Sequence, residues 1–130
     1  MGDLLAALVL LLAPRADPCD VLAALDLVRA EAWTRGDSGL LATVYEPEAG
    51  RTDVDRLERW RARGIGLRDM TTTRAACRRV DEATVRVTER LGPAVAVLPD
   101  GTRRALPRDG WDVRTVSLRW TGRWRVTAVR

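Results

Sequence analysis

The chain has 130 residues, a length that accommodates one domain with a hydrophobic core of moderate size. A hydrophobic fraction of 46% and a charged fraction of 31% are typical of a folded protein and exclude a disordered chain. The sequence has no histidine, which removes the usual general base near neutral pH and the commonest metal ligand, so we expect no metal site.

The basic residues are all arginines, and the net charge is +4. A basic chain suggests nucleic acid or an anionic membrane surface as a partner. However, acidic residues are mixed among the arginines, as in residues 53–63, a pattern typical of a solvated helix face. No nucleic-acid-binding motif accompanies them. We therefore do not expect nucleic acid as a partner.

An apolar run occupies residues 4–13. It is shorter than the ~20 residues that span a bilayer, but its length suits the apolar part of a signal peptide. Asp3 replaces the usual basic residues before it, so a misassigned start inside a longer signal or anchor would explain the pattern. We interpret residues 1–16 as a leader, either a signal peptide or part of a membrane anchor, and residues 17–130 as the domain. We expect this domain to lie outside the cytoplasm, either secreted or anchored to a membrane. The alternatives are an additional helix packed on the domain and a cytoplasmic protein.

Cys19 and Cys77 are the two cysteines. In an exported protein an even number of cysteines suggests a disulfide, which makes this pair a disulfide candidate. Two separately buried thiols are the alternative.

Three helices are predicted in the first half of the chain. Asp17 caps a helix whose apolar residues recur at helical spacing until Gly36 ends it. A short second helix runs from residue 37 or 38 to Tyr45 and is stopped by Pro47. The third begins with a pattern similar to a capping box at residues 52–55 and ends at Gly64.

From residue 65 the pattern changes to the period of two that is typical of strands. Strands are predicted over residues 67–80, 83–88, 94–98, 102–106, 113–120 and 124–129. In the first of them, Asp69 and Cys77 are assigned to one face and Arg74 to the other. Turn residues at 99–101 and 121–122 predict two hairpins. The fold class is therefore α+β, with three helices packed on a mostly antiparallel sheet of about five or six strands.

Two segments resemble the nuclear transport factor 2-like (NTF2-like, SnoaL-like) superfamily. Residues 24–45, with RAEAWTRGDSGLLATVY at 29–45, are similar to its opening helices, and Asp37, Leu41 and Tyr45 fall on its Gly-Asp…Leu…Tyr pattern. Residues 116–130, VSLRWTGRWRVTAVR, are similar to its closing hairpin. The chain also resembles actinobacterial secreted or membrane-anchored domains of this kind. The resemblance implies a strongly bent sheet that forms a cone around the long helix, an apolar pocket at one end of the cone, and in many relatives a homodimer.

Enzymes of this superfamily that resemble ketosteroid isomerase need a carboxylate as base and a tyrosine or a protonated acid as hydrogen-bond donor. By that resemblance the catalytic candidates here are Asp69 and Tyr45. The alternative places Tyr45 in the core and Asp69 on the surface. The related cyclases and dehydratases depend on histidine, which this chain lacks.

Trp33 and Trp124 lie on the apolar stripes of their elements and are expected in the core. Trp60, between Arg59 and Arg61, and Trp111 are the candidates for a surface that binds a ligand, a protein partner or a membrane interface.

The sequence contains no glycine-rich nucleotide cradle, and we expect no cofactor. Our first hypothesis is a non-enzymatic extracytoplasmic module that binds a protein partner or a small apolar ligand, with a homodimer as one form. The alternative is an isomerase-like or cyclase-like enzyme that uses Asp69 and Tyr45.

Overall fold

The computed structural model describes residues 2–130 and contains helices followed by antiparallel strands, which confirms the α+β class. The helices are α1 (Gly2–Leu10), α2 (Pro18–Arg35), α3 (Ser38–Ala42) and α4 (Pro47–Ala62). The strands are β1 (Gly66–Arg68), β2 (Thr72–Asp81), β3 (Thr84–Leu91), β4 (Ala94–Val97), β5 (Arg103–Leu106), β6 (Asp112–Trp120) and β7 (Trp124–Val129).

The strands form two sheets, in the orders β2-β3-β6-β7 and β1-β4-β5, where the sequence predicts one. The predicted strand 67–80 is in fact two strands, β1 and β2, which belong to different sheets. The break lies at Asp69, whose backbone is left-handed with φ 59°. An aspartate tolerates this left-handed conformation better than most residues do. A residue in this conformation cannot continue an extended strand. The two predicted hairpins, β4-β5 and β6-β7, are confirmed.

The long helix α2 follows its sequence signals closely. The Asp17 side chain accepts a hydrogen bond from the Cys19 backbone N–H at 2.8 Å, and Gly36 ends the helix with φ 64°. The apolar stripe is buried: Val21, Leu22, Leu25, Val28, Ala32 and Trp33. Its first half packs on the four-stranded sheet, and its second half packs with α4 and the three-stranded sheet.

The helix α4 begins at Pro47, five residues before the predicted start. The prediction took Pro47 as a stop for the preceding helix, but proline is equally suited to the first position of a helix, where its missing N–H is not needed. Asp53 is consequently a residue of the second helical turn and not part of a cap. It is buried on the same stripe as Gly50 and Leu57.

A shift of register between Arg74 and Ala76 interrupts the alternation of β2. The extra residue of a bulge moves every later side chain to the opposite face. Arg74 and Cys77 therefore both face α2, and their predicted assignment to opposite faces is wrong. The sequence shows no turn residue at this point that would have predicted the bulge.

Helix α1 packs on the domain within the predicted leader. Ala7 and Leu11 are buried in the core, and the Trp124 indole N–H donates a hydrogen bond to the carbonyl oxygen of Ala13 at 2.9 Å. The opposite face of the helix, with Leu5 and Val9, is exposed. Within residues 2–130 no helix has the length and hydrophobicity that a membrane span requires.

A disulfide joins Cys19 of α2 to Cys77 of β2, 58 residues apart in the chain. Closing a loop of this length reduces the conformational freedom of the unfolded chain and contributes about 4 kcal/mol to the free energy of unfolding. We expect the double variant Cys19→Ala/Cys77→Ala to lose about this amount in urea denaturation.

The matched control is the wild-type protein kept reduced during denaturation, which should lose a similar amount. Thiol titration of the unreduced, denatured chain should detect no free thiol. Detection of two free thiols, or equal stability of the oxidised protein and the double variant, would contradict the crosslink.

Candidate functional site

A cavity of about 260 Å³ lies between α2, α4 and one face of the four-stranded sheet. We call it the inner cavity. Apolar side chains form one part of its wall: Leu22, Leu25, Val44, Ala49, Val116, Val126 and Val129. Charged and hydroxyl-bearing side chains form the remainder, among them Asp26, Arg29, Tyr45, Asp53 and Glu89. The inner cavity is thus half apolar and half charged.

The carboxylate of Asp53 is the centre of the first charged group. It accepts hydrogen bonds from Arg29 (Nε to Oδ2 at 2.6 Å and Nη2 to Oδ1 at 3.0 Å). The Tyr45 hydroxyl donates to Oδ2 at 2.7 Å, and the Trp33 indole N–H donates to Oδ1 at 3.2 Å. Four donors on two oxygens use the acceptor capacity of a carboxylate almost completely.

The backbone holds Tyr45 in reach of Asp53. The connection between α3 and α4 pairs with β7, since the Glu46 N–H donates to the Val126 carbonyl oxygen and the Val126 N–H to that of Val44, both at 2.8 Å. A Cβ atom on Gly50 would lie 2.7 Å from the Cβ of Tyr45. Glycine at this position therefore lets the ring of Tyr45 lie against α4, with its hydroxyl directed to Asp53 one turn further along.

The charge of Arg29 determines the ionisation of this group. Burial opposes ionisation of Asp53, but the hydrogen bonds and charge of Arg29, assisted by Tyr45 and Trp33, outweigh it and lower the pKa of the carboxyl below its usual value. Burial raises the pKa of the Tyr45 hydroxyl above its usual value, despite the nearby charge of Arg29. Asp53 is therefore ionised and Tyr45 neutral at physiological pH.

The second charged group joins α2 to the sheet. Nη2 of Arg74 donates to Oδ2 of Asp26 at 2.5 Å and to Oε2 of Glu89 at 2.7 Å. Arg74 and Glu89 are direct partners on β2 and β3, and Asp26 lies above them on α2. Two carboxylates thus share one guanidinium group, and all three side chains are at least three-quarters buried.

The Asp26 carboxyl of this group binds a proton more readily than an exposed aspartate does. Burial raises the pKa of the Asp26 carboxyl above its usual value, and the neighbouring charge of Glu89 adds to this effect against the opposing charge of Arg74. One positive charge does not neutralise two carboxylates, so the protonated form of Asp26 is favoured relative to an exposed aspartate. A carboxyl group of this kind, in the wall of a cavity, is able to act as a proton donor.

The structure does not bring the two catalytic candidates together. Tyr45 lines the inner cavity, but its hydroxyl is hydrogen-bonded to Asp53. Asp69 is exposed in the bend after β1 and is not among the residues that line the inner cavity. The carboxylates beside Tyr45 belong instead to Asp53 and Asp26.

The two tryptophan candidates occupy different settings. Trp60 is half-buried, and its ring meets that of Trp33 edge to face at 5.6 Å between centroids. It therefore packs against the core between α2, α4 and the three-stranded sheet. Trp111 is 46% exposed, and the guanidinium carbon of Arg90 lies 4.2 Å from the centre of its ring. Trp33 and Trp124 are buried, as predicted.

Among residues 2–130 there is no group of three or more cysteine or acidic side chains suited to hold a metal ion. The acidic residues of the inner cavity are instead paired with arginines: Asp53 with Arg29, and Asp26 and Glu89 together with Arg74.

No known protein family and no curated protein matches the sequence. Among solved structures, the intermembrane-space region of the chloroplast protein ARC6 is similar, with a TM-score of 0.57 and 14% identity over 85% of this chain and 90% of that one. The likeness is one of fold. An LEH-like epoxide hydrolase of M. tuberculosis matches with a TM-score of 0.41 and 14% identity over 79% of this chain and 78% of that one, a score too low to add to this conclusion.

The hydrophobic spacing of the sequence contains signals for two further residues of the inner cavity, Glu89 and Asp53. On β3, the alternation of Val85 and Val87 continues to Glu89, which places a carboxylate on the buried face of a strand. On α4, helical spacing from Gly50 through Asp53 to Leu57 would have placed Asp53 on the buried stripe if the helix start had been correct. A charged residue on a buried stripe indicates either an ion pair or a site.

We expect Asp53→Asn to lower the free energy of unfolding by about 3 kcal/mol at neutral pH, because it leaves the buried charge of Arg29 without its partner. The native pKa of Asp53 is lowered, so its stabilising contribution is present above the pKa of the unfolded chain and is lost as the pH falls through the native value. The difference in stability between the wild type and the variant should therefore be largest well above the usual aspartate pKa of 3.8 and should narrow as the pH falls below it in urea titrations.

The control is Asp55→Asn, which changes an exposed carboxylate on the same helix and should alter stability by at most about 0.5 kcal/mol. A difference between wild type and Asp53→Asn that stays constant over the whole pH range would show that the charge of Asp53 does not stabilise the fold.

Proposed function

We propose that the chain is a binding module whose inner cavity holds a small amphiphilic organic molecule. The observation that carries this proposal is the division of the cavity wall into an apolar part, with Leu25 and Val116, and a charged part, with Asp26 and Arg29. Ligand sites are typically concave and mostly apolar with a few fixed polar groups. The volume of about 260 Å³ is near the small end of such sites, which favours a small ligand.

The arrangement of Asp53 and Tyr45 favours binding over catalysis by this pair. A general base needs a free lone pair, and all four hydrogen-bonding positions of Asp53 are occupied. A donor that stabilises an oxyanion needs a free O–H, and that of Tyr45 is directed at Asp53. Their shared hydrogen bonds make them part of a fixed wall.

A second candidate function is proton transfer by Asp26. The raised pKa of this carboxyl group and its position in the cavity wall favour it as a general acid, with Arg74 and Glu89 as positioning residues. This second candidate keeps the enzymatic alternative of the sequence analysis but assigns the acid to Asp26 and not to Asp69.

We further propose that the chain is a member of the NTF2-like superfamily and is located outside the cytoplasm. The resemblance of residues 29–45 and 116–130, together with a long helix followed by two antiparallel sheets, supports the first proposal. The disulfide between Cys19 and Cys77 supports the second, because such bonds persist mainly in oxidising compartments.

The binding function is tested by filling the inner cavity. Ala49 of α4 lines it and is half-buried, so the larger side chain of Ala49→Phe has the cavity as its nearest space. We expect small amphiphiles (phenylalkanoic acids, their primary amides and the corresponding alcohols) to shift the amide resonances of Leu25, Val116 and Val126 in NMR titrations of the wild type. In Ala49→Phe these shifts should be lost.

The matched control is Ala62→Phe, the same change at an exposed position of the same helix, which should leave the titrations unaltered. If no compound perturbs the cavity resonances, or if Ala49→Phe binds as the wild type does while folded, the proposed function is wrong. Turnover of a compound that Asp26→Asn abolishes would instead favour the enzymatic alternative.

A further inference from the structure

We propose that the opening of the inner cavity is an anion-binding subsite, formed by Arg56, Arg90 and Arg114, that recognises the carboxylate of a small amphiphilic acid. This inference rests on the proposed binding function and specifies the class of ligand. The apolar part of the ligand would lie against the apolar wall, and its carboxylate would lie among the three guanidinium groups.

A second cavity of about 180 Å³ adjoins the inner cavity, and Arg56, Asp109, Asp112 and Arg114 in its wall are exposed. We call it the outer cleft. The two have five lining residues in common: Arg29, Arg56, Thr72, Glu89 and Arg114. A molecule that enters the inner cavity from this side therefore passes these side chains.

The charges of the outer cleft are unequal. Arg29 is paired with Asp53, and Glu89 shares Arg74 with Asp26. The remaining charged side chains are three arginines, Arg56, Arg90 and Arg114, and two carboxylates, Asp109 and Asp112. Arginines thus outnumber carboxylates by one among the residues that line the cleft, and an excess of positive charge in a concave site favours an anion.

Two of these arginines have no carboxylate within ion-pairing distance in the described part of the chain. They are Arg56, which is exposed on α4, and Arg90, which is half-buried on β3. Arg114 pairs with Asp112 at 3.1 Å, and both side chains are about half exposed, so the pair is weak. Each of the three guanidinium groups is therefore available to a ligand.

The orientation of Arg90 is fixed without an anion. Its guanidinium group lies on the ring of Trp111, and the loop that carries Trp111 is attached to the end of β3 by a hydrogen bond from the Asp109 N–H to the Leu91 carbonyl oxygen. Stacking on an aromatic ring leaves the N–H groups at the guanidinium edge free to bind a carboxylate. The buried Nε of Arg90 has no hydrogen-bond partner among the residues that the structure describes. This arrangement gives Trp111 a positioning role in ligand recognition.

The test compares acids with neutral molecules of the same shape. We expect phenylpropionate and phenylbutyrate to bind at least about tenfold more tightly than their primary amides in calorimetric titrations at about 0.01 M salt, with a smaller ratio at about 0.3 M. Arg56→Gln and Arg90→Gln should each weaken binding of the acids about fivefold and leave binding of the amides unchanged.

The control is Arg104→Gln, which removes the same charge from an exposed position on β5 outside both cavities and should have no effect. Because Arg56 is exposed, its variant remains folded even if Arg90→Gln is destabilised.

The outcomes separate this inference from the proposed function. If acids and amides bind equally and Ala49→Phe blocks both, the inner cavity binds ligands but the anion subsite is wrong. A preference for acids that survives both arginine substitutions would also overturn the subsite, because the carboxylate would then lie elsewhere. Absence of binding by both classes of compound would overturn the two proposals together.

Discussion

The structure depends on one buried carboxylate. Asp53 lies in the second turn of α4, a helix with few buried apolar residues, and a charge in this position is stable only when it is paired and hydrogen-bonded. Arg29 and Trp33, one turn apart on α2, supply three of its hydrogen bonds, and Tyr45 supplies the fourth. The carboxylate thereby fixes α4 against α2 at a set distance from the sheet. The inner cavity is the space that remains between the three elements.

The four-stranded sheet has a polar end on the face that lines the inner cavity, because β2 and β3 each carry a charged residue on that face beside the apolar ones. On β3, Val85 and Val87 are followed by Glu89, and on β2 the bulge places Arg74 on the face that Cys77 also occupies. Both β2 residues have partners on α2, Arg74 an aspartate and Cys77 a cysteine two turns earlier. A covalent bond and an ion pair therefore lie side by side across one interface.

Local signals account for the parts of the fold that the sequence predicts well. The limits and buried stripe of α2 follow from Asp17, Gly36 and the helical spacing between them, and the two hairpins follow from their turn residues. The errors arise where local chemistry is ambiguous: proline suits both the end and the start of a helix, and neither a left-handed Asp69 nor the bulge after Arg74 has a distinctive pattern. The sequence predicts Tyr45 as a candidate site residue but does not predict its hydrogen-bond partner Asp53. Asp53 comes close to Tyr45 and Arg29 only when α2 and α4 pack together.

The distribution of charge separates the proposed anion-binding groups from the groups that stabilise the fold. Inside, Arg29 and Arg74 are held by carboxylates, and a ligand that displaced those carboxylates would leave them buried and unpaired, at a cost of several kcal/mol. The ion pairs of Arg29 and Arg74 consequently remain in place and form part of the cavity wall. At the opening, Arg56 and Arg90 are not committed to carboxylates, so an anion can bind there without breaking any interaction on which the fold depends. The hydrogen bonds of Asp53 hold α2 and α4 together whether or not the arginines at the opening bind a ligand.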